Sequence, residues 1–328
     1  MDTGISPKVS VVVPTYQHAA FIEKCIDSIL AQRTTFPVEI LIGEDESSDG
    51  TREICERLAE KHPDRIRLFL GARKDVLYID GQPTGRRNLL NLLKEARGVH
   101  IALCEGDDHW VDDHKLQKQV ETLEADDTCV GCFTDAWVEG NGPRRIFFDG
   151  EHAKRPDGPV RLEEFIRGQS IPVCTMVLRA DSLYPLPDQL FRSPGGDTII
   201  FAHLLRNGGH FLYLDEPTAL RLEHPGGIFS MRGEMHQLKA RLRNTELLGE
   251  MFAAKDIEPV FWPRRRDLLL QGWSLSLRTG DRVMAKRCWK GLAPRYRSVG
   301  WNLTTTVRNY LKAWHPGLER LLAKATGR

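Results

Sequence analysis

The first hundred residues alternate between two periodicities, and this constrains the fold more than any other feature. Residues 8–14 (KVSVVVP) are a β-branched run of strand length closed by proline. Residues 21–32 then place Phe21, Ile22, Cys25, Ile26, Ile29 and Leu30 at helical spacing. Residues 38–43 (VEILIG) form a second buried-type strand, followed by the turn EDESSDGT and a helix to about Lys61 that Asp49 or Thr51 can cap. A strand over 66–70, a helix over 85–96 and a strand over 100–104 continue the pattern. Strands alternating with helices of this length predict an α/β fold with a doubly wound, mainly parallel sheet. Further on, the pattern predicts helix over 114–126, strand over 130–138, loops from about 139 to 170, and strand over 173–178. Helix over 197–207 and strand over 211–214 follow. Past Ser230 only helical patterns remain (236–254, 264–277, 282–292), which predicts an α/β domain over 1–230 and a helical C-terminal region over 231–328.

Of the 328 residues, 41% are hydrophobic and 28% charged, which argues for a globular chain and against disorder, collagen-like repeats or coiled coil. No run of 18 apolar residues occurs, and MDTGISPKVSVVVP lacks the basic and apolar regions of a secretory signal, so the expected location is cytoplasmic. The seven scattered cysteines then read as reduced, buried thiols. Cys129 and Cys132 form a CxxC, but a zinc site needs two more ligands, and CVGCFTDAWV reads as a strand. From Arg282 onward there are 11 Lys/Arg against one acid, Glu319, while the rest of the chain carries 35 basic against 44 acidic residues.

In doubly wound sheets ligands bind beyond the carboxyl ends of the strands, and the polar clusters of this chain fall there. Neither GxxxxGK[ST] nor GxGxxG follows the first strand, so no Gly-rich phosphate cradle is predicted. What stands out is acidic: CEGDD directly after the fourth strand puts Glu105, Asp107, Asp108 and Asp112 within reach of one another. Carboxylates on one short turn repel unless a cation lies between them, and hard oxygen ligands favour Mg2+ or Mn2+, which in turn bridge to a diphosphate. The plainer alternative is an acidic turn capping the next helix, which needs only one carboxylate.

Three blocks, VSVVVPTYQHAAFIEKCIDSILAQ, VEILIGEDESSDGT and GRRNLLNLLKEARGVHIALCEGDDHWVDDHKLQKQV, together resemble the family-2 glycosyltransferases with a GT-A fold. A weaker echo in GGDTIIFAHL and RLEHPGGIFS extends the resemblance to about residue 230. The resemblance implies a nucleotide-sugar site in which Pro14, Thr15, Tyr16, Glu44 and Asp45 hold base and ribose. Many members have two aspartates followed by glycine where this chain has Glu44, Asp45 and Glu46, so the base preference stays open. GRRN matches the family's Arg-Asn block, and the Arg adjoining Asn88 is Arg87, which stands where the family stabilises the diphosphate; Arg86 is the alternative. CEGDD takes the place of the DXD motif, with Glu105, Gly106 and Asp107 at the donor, Asp107 as direct metal ligand and Glu105 as a second one. His224 is implied as a further ligand and Asp197 as the base that activates the acceptor hydroxyl, with Gly196 where a Glu is often found.

The implied activity is metal-dependent transfer of a sugar from a nucleoside diphosphate sugar, with inversion, to a polysaccharide or lipid-linked oligosaccharide. Nucleic acid is not an expected partner, since no nucleic-acid module appears. The basic tail, with Trp289, Tyr296, Trp301, Tyr310 and Trp314 among its Lys and Arg, could instead lie on the inner face of the cell membrane or pack on the acidic body. Rival readings are a catalytically silent nucleotide-sugar binding protein and a sugar-nucleotide hydrolase or nucleotidyltransferase. The last two would be expected to carry a Gly-rich phosphate grip or a second metal cluster.

Overall fold

The computed structural model describes residues 6–140, 142–224, 226–227, 233–252 and 258–315. The chain divides into two compact units, Met1–Met231 and Arg232–Arg328.

In the first unit, β1 (Val9–Thr15), α1 (Ile22–Leu30), β2 (Val38–Glu44), α2 (Thr51–Lys61) and β3 (Ile66–Leu70) follow the predicted alternation. A short hairpin, β4 (Leu77–Ile79) and β5 (Gln82–Thr84), precedes α3 (Arg86–Glu95), β6 (His100–Leu103), β7 (His109–Trp110) and α4 (Lys115–Glu124). Then come β8 (Cys129–Gly140), β9 (Gly142–Ile146), α5 (Leu162–Arg167), β10 (Val177–Arg179), α6 (Gly196–Leu205) and β11 (His210–Leu222). The main sheet runs β3-β2-β1-β6-β10-β8-β11-β7, with β9 added on β8. It is parallel from β3 to β6 and again between β8 and β11; β10, β7 and β9 run antiparallel to their neighbours, so the sheet is mixed.

Strand pleating sorts the core. Val9, Val11 and Val13 of β1 share one cluster with Ile22, Cys25 and Ile26 of α1, Cys55 and Leu58 of α2, and Leu116 and Val120 of α4. The opposite face, where Pro14 pairs Gly43, meets Asn88 and Leu92 of α3. Covered on both faces, β1 and β2 are buried along almost their whole length, which is why both read as continuous apolar runs.

The second unit is helical: α7 (Glu234–Phe252), α8 (Glu258–Thr279), α9 (Arg282–Leu292), a 3-10 segment (Ala293–Val299) and α10 (Leu303–Trp314). Leu238, Leu242, Leu268, Leu269, Trp273, Met284, Cys288 and Leu292 make its core. Asp281 caps α9 by accepting from the Met284 N–H (2.9 Å), and Asn302 caps α10 by accepting from Thr305 (2.7 Å). Trp289, Tyr310 and Trp314 pack on one another, with centroids 5.0–5.3 Å apart. Three of the five aromatics of the basic tail therefore serve an internal cluster, and Trp301 packs on Trp273. Among the described residues no helix is long and apolar enough to cross a membrane. All seven cysteines are free and buried, and Cys129 and Cys132 both lie in β8.

Several local expectations are corrected. The stretch 139–170 is not all loop, since it contains β9 and α5. Residues 173–175 form a 3-10 turn ahead of the short strand β10, because Thr175 bonds back to the Pro172 carbonyl. β11 spans 13 residues rather than four and crosses register shifts on either side of Pro217. The cap of α2 is Gly50, while Asp49 accepts from the Thr51 N–H (3.1 Å) and hydroxyl (2.6 Å) and from the Ala19 N–H (3.0 Å), tying α2 to the loop after β1. Residues 1–5, 141, 225, 228–232, 253–257 and 316–328 of the segments discussed above lie outside the described residues.

Candidate active site

The carboxyl ends of β1, β2 and β6 lie side by side and carry three short loops. Backbone bonds join them: the Asp45 N–H donates to the Thr15 carbonyl (3.2 Å) and the Gly106 N–H to that of Pro14 (3.1 Å). In the loop after β2, Glu44 is fully buried; its carboxylate accepts from the backbone N–H groups of Ser47 (2.6 Å) and Glu46 (3.2 Å) and from Arg52. Glu44 thus organises its own turn. Asp45, 6% exposed, accepts from Arg73 (2.8 Å), whose guanidinium lies over the Tyr16 ring at 4.1 Å. Burial pushes the Asp45 carboxyl up from its ordinary range, and Arg73 opposes that shift. Tyr16, Arg73 and Asp45 form one partly open wall.

The acidic turn gathers histidines as well as acids. Asp107 Oδ2 is 3.0 Å from His224 Nε2 and 3.8 Å from His18 Nε2, while its Oδ1 is buried without a partner among the described residues. Ligand atoms of His18, Asp107 and His224 lie within 4.8 Å of one another, as do those of Glu105, Asp107 and Asp108. Asp108 is buried and accepts from the Leu222 N–H (3.0 Å), which fastens the end of β11 to the turn. Lost hydration, then the charges of Asp107 and Glu105, raise its carboxyl well above the ordinary range. The Glu105 carboxyl is pushed up to about 7 by lost hydration, then by Asp107 and Asp197, against Arg221 and Arg86. Glu105 keeps an exposed surface, so water moderates the hydration loss and the crowding of like charge carries the direction. His18 is lowered, chiefly by burial.

On the far side of Glu105 stand the starts of α3 and α6. Arg86 is 7% exposed and donates to the Ser193 carbonyl (3.2 Å); its charge acts on Asp197 and Glu105. It fills space that Gly196 leaves empty, because a Cβ at 196 would sit 1.0 Å from Arg86 Nη1. Asp197, in the first turn of α6, is half-buried beside it. Arg87 is exposed, whereas Asn88 donates to the Gly43 carbonyl (2.7 Å) and pins α3 under β2.

The sequence-predicted residues Thr15, Glu105, Gly106, Asp107, Asp197 and His224 therefore come to one edge of the sheet, joined by Tyr16 and Asp45. Pro14, Glu44 and Asn88 serve its scaffold, and Arg87 stands outside the cluster. Sequence reasoning missed His18, Arg73 and Arg221, and it ranked Arg86 behind Arg87. One signal for Arg86 existed: Arg86, Leu90 and Leu93 recur at helical spacing on the buried face of α3. For His18 and Arg73 no local pattern distinguishes them from surface residues.

The fold is shared with S. aureus TarS (residues 1–349) in complex with UDP-GlcNAc, at TM-score 0.54 and 16% identity, covering 98% of this chain and 92% of that one. It is also shared with a mannosyltransferase of Pyrobaculum calidifontis in complex with GDP-Man and Mn2+ (TM-score 0.52, 17% identity, 98% and 84% covered). In sequence the chain is 31% identical over 163 residues to GalNAc(5)-diNAcBac-PP-undecaprenol beta-1,3-glucosyltransferase of Campylobacter jejuni, covering 49% of this chain and 48% of the relative. The chain spans about a third to a half of the length of such curated relatives. The description "Glycosyl transferase family 2" matches residues 10–180, just over half the chain and all the loops of the acidic turn; the chain belongs to that family and has its GT-A fold.

Proposed function

We propose that this chain is a metal-dependent glycosyltransferase that moves one sugar from a nucleoside diphosphate sugar to a hydroxyl of a saccharide or lipid-linked acceptor, with inversion. The observation that carries the reading is the pairing, on one edge of the sheet, of a cation-binding acidic turn with a separate half-buried acid, Asp197, across Glu105.

The residues fit a divalent ion. Asp107 Oδ1 is a buried acceptor with no donor among the described residues, and the cluster offers carboxylate oxygens and imidazole nitrogen together. Asp107 would hold Mn2+ or Mg2+, with Glu105 and His224 beside it. The bound ion would supply Lewis-acid stabilisation of the departing diphosphate. Thr15, Tyr16 and Asp45 would hold base and ribose, with Arg73 bonded to Asp45 and lying over the Tyr16 ring. Pro14, Glu44, Gly106 and Asn88 shape this pocket, and Arg87, exposed at the start of α3, has no place in it.

Inversion follows from a single in-line displacement. The acceptor oxygen bonds the anomeric carbon as the bond from that carbon to the phosphate oxygen breaks on the opposite face. Asp197 takes the acceptor proton, with the buried charge of Arg86 acting on it at the start of α6. The relative named for an undecaprenol-linked substrate supports a lipid-linked acceptor. The basic charge of α9 and α10 supports contact with an anionic membrane surface.

Replacement Asp197→Asn separates this enzyme from a silent nucleotide-sugar binder. Transfer should fall by about three orders of magnitude or more with donor affinity within about twofold. Unchanged turnover would remove Asp197 from the chemistry, and a wild-type protein that binds donor without turnover with any saccharide acceptor would favour the silent binder.

A further inference from the structure

His18 lies in the loop after β1, three residues beyond Thr15, and the resemblance that picks out His224 says nothing of it. Its position is nevertheless tightly built. The His18 N–H donates to Thr51 Oγ1 (2.8 Å), and Thr51 is in turn held by Asp49, so the loop carrying the imidazole is anchored to α2. On the ring, Nδ1 lies 3.1 Å from the hydroxyl of Thr15, which is 2% exposed. With the Nδ1 proton given to that hydroxyl, the Nε2 lone pair faces Asp107 Oδ2 at 3.8 Å, across from His224 Nε2.

Gly106 is part of the same construction. A Cβ there would lie 2.5 Å from Thr15 Oγ1 and 3.0 Å from His18 Nδ1. The glycine inside the acidic motif is thus what lets the Thr15–His18 pair approach Asp107. A residue with no role beside the cation would not need this close approach.

The spacing suits coordination. Ligands bonded at about 2.1 Å to a six-coordinate ion are about 3.0 Å apart when adjacent and about 4.2 Å when opposite. The two edges from Asp107 Oδ2, 3.0 Å to His224 Nε2 and 3.8 Å to His18 Nε2, fall in that range, and ligand atoms of all three residues lie within 4.8 Å of one another.

We infer that His18 is a further protein ligand of the divalent ion, so that two imidazoles join the Asp107 carboxylate there, and that this nitrogen-bearing set selects a first-row transition ion such as Mn2+ over Mg2+. Imidazole nitrogen binds Mn2+ and heavier ions better than it binds Mg2+, which prefers oxygen and retained water. The inference rests on the metal-dependent reading proposed above.

The test is metal binding itself, on the full chain. Mn2+ and Mg2+ are titrated by calorimetry, each alone and with saturating UDP or GDP, into wild type, His18→Ala, His18→Gln and Asp107→Asn. The Mn2+-loaded proteins are then examined by pulsed electron paramagnetic resonance for 14N couplings. His18→Gln keeps a polar side chain in the loop, and thermal melts check that each variant folds. Expected are two imidazole couplings in wild type, one in either His18 variant, and a loss of Mn2+ affinity of about tenfold or more with Mg2+ affinity within about twofold. Both couplings persisting in folded His18 variants would overturn the inference while leaving a metal site standing, whether Mn2+ affinity held or both ions weakened equally. Absence of Mn2+ and Mg2+ binding to wild type, alone or with either nucleotide, would defeat the metal-dependent reading and this inference together.

Discussion

Gly196 and Arg86 should behave as one unit. The relevant perturbations are Gly196→Ala, Arg86→Ala and the double variant. The new methyl at 196 would lie 1.0 Å from Arg86 Nη1 and 1.9 Å from Cζ, so the guanidinium must leave. Arg86 is 7% exposed and bonded to the Ser193 carbonyl, so eviction forfeits a charge-assisted hydrogen bond of about 1.5–3 kcal/mol, partly regained by hydration. It also withdraws a buried cation from Asp197 and Glu105. Taking about 2 kcal/mol as the net effect on the reacting site, each single change lowers kcat/KM about 30-fold. Arg86→Ala removes the same group, so the double variant should lose no more than about 30- to 50-fold, whereas independent effects would multiply to roughly 1,000-fold. The assay is nucleoside diphosphate release from the donor, with thermal midpoints of the four proteins as a second cycle. Multiplicative losses in both measurements would refute the idea that Gly196 exists to seat Arg86.

Acid lability should follow from buried histidines. His100, His109 and His203 are nearly inaccessible, and burial pulls each down to about 4 from an ordinary 6.5. The folded state thus binds fewer protons than the unfolded state between those values, so stability is complete above about pH 6.5 and is lost as pH falls toward 4. Thermal melts across pH 4–7.5 should show this limb, and His100→Leu, which removes two buried ring nitrogens without partners, should flatten it; an unchanged limb would exclude His100. Glu44→Gln, which weakens the Arg52 pair and the turn, should lower the thermal midpoint and donor affinity together, whereas Asp45→Asn should weaken donor binding with a smaller change in stability. Calorimetry and melts on the two variants check the contrast, and an inert Asp45→Asn would take Asp45 out of the donor site.

The parts of the fold legible in the sequence are those where burial shaped composition. The strand over 66–70 coincides with β3, and the helix over 282–292 with α9, because each has a local apolar period that survives in the structure. β9 (GPRRI) was hidden because it is an exposed strand paired only with β8, so nothing selected an apolar alternation in it. β11 was seen only at its start, since Asp215, Glu216 and Pro217 interrupt the apolar pattern where its register to β8 shifts. In the site, the acids were legible because each follows a buried strand. Glu44 was assigned to ligand because its backbone and Arg52 partners are products of the folded turn. Arg87 was preferred to Arg86 by adjacency to Asn88, although the buried face of α3 selects Arg86. His18 and His224 meet only because β11 brings residue 224 back to β1, a contact between sequence positions more than 200 apart.

Metal-dependent turnover of a nucleotide sugar tests the central claim most directly. Purified protein is given Mn2+ or Mg2+ and each common UDP-, GDP- and dTDP-sugar, and released nucleoside diphosphate is followed with and without EDTA. The account predicts slow hydrolysis of one donor that EDTA abolishes and added Mn2+ restores. Donor turnover unaffected by EDTA would contradict the metal role of Asp107, and neither turnover nor metal-dependent binding of any donor would contradict the account as a whole.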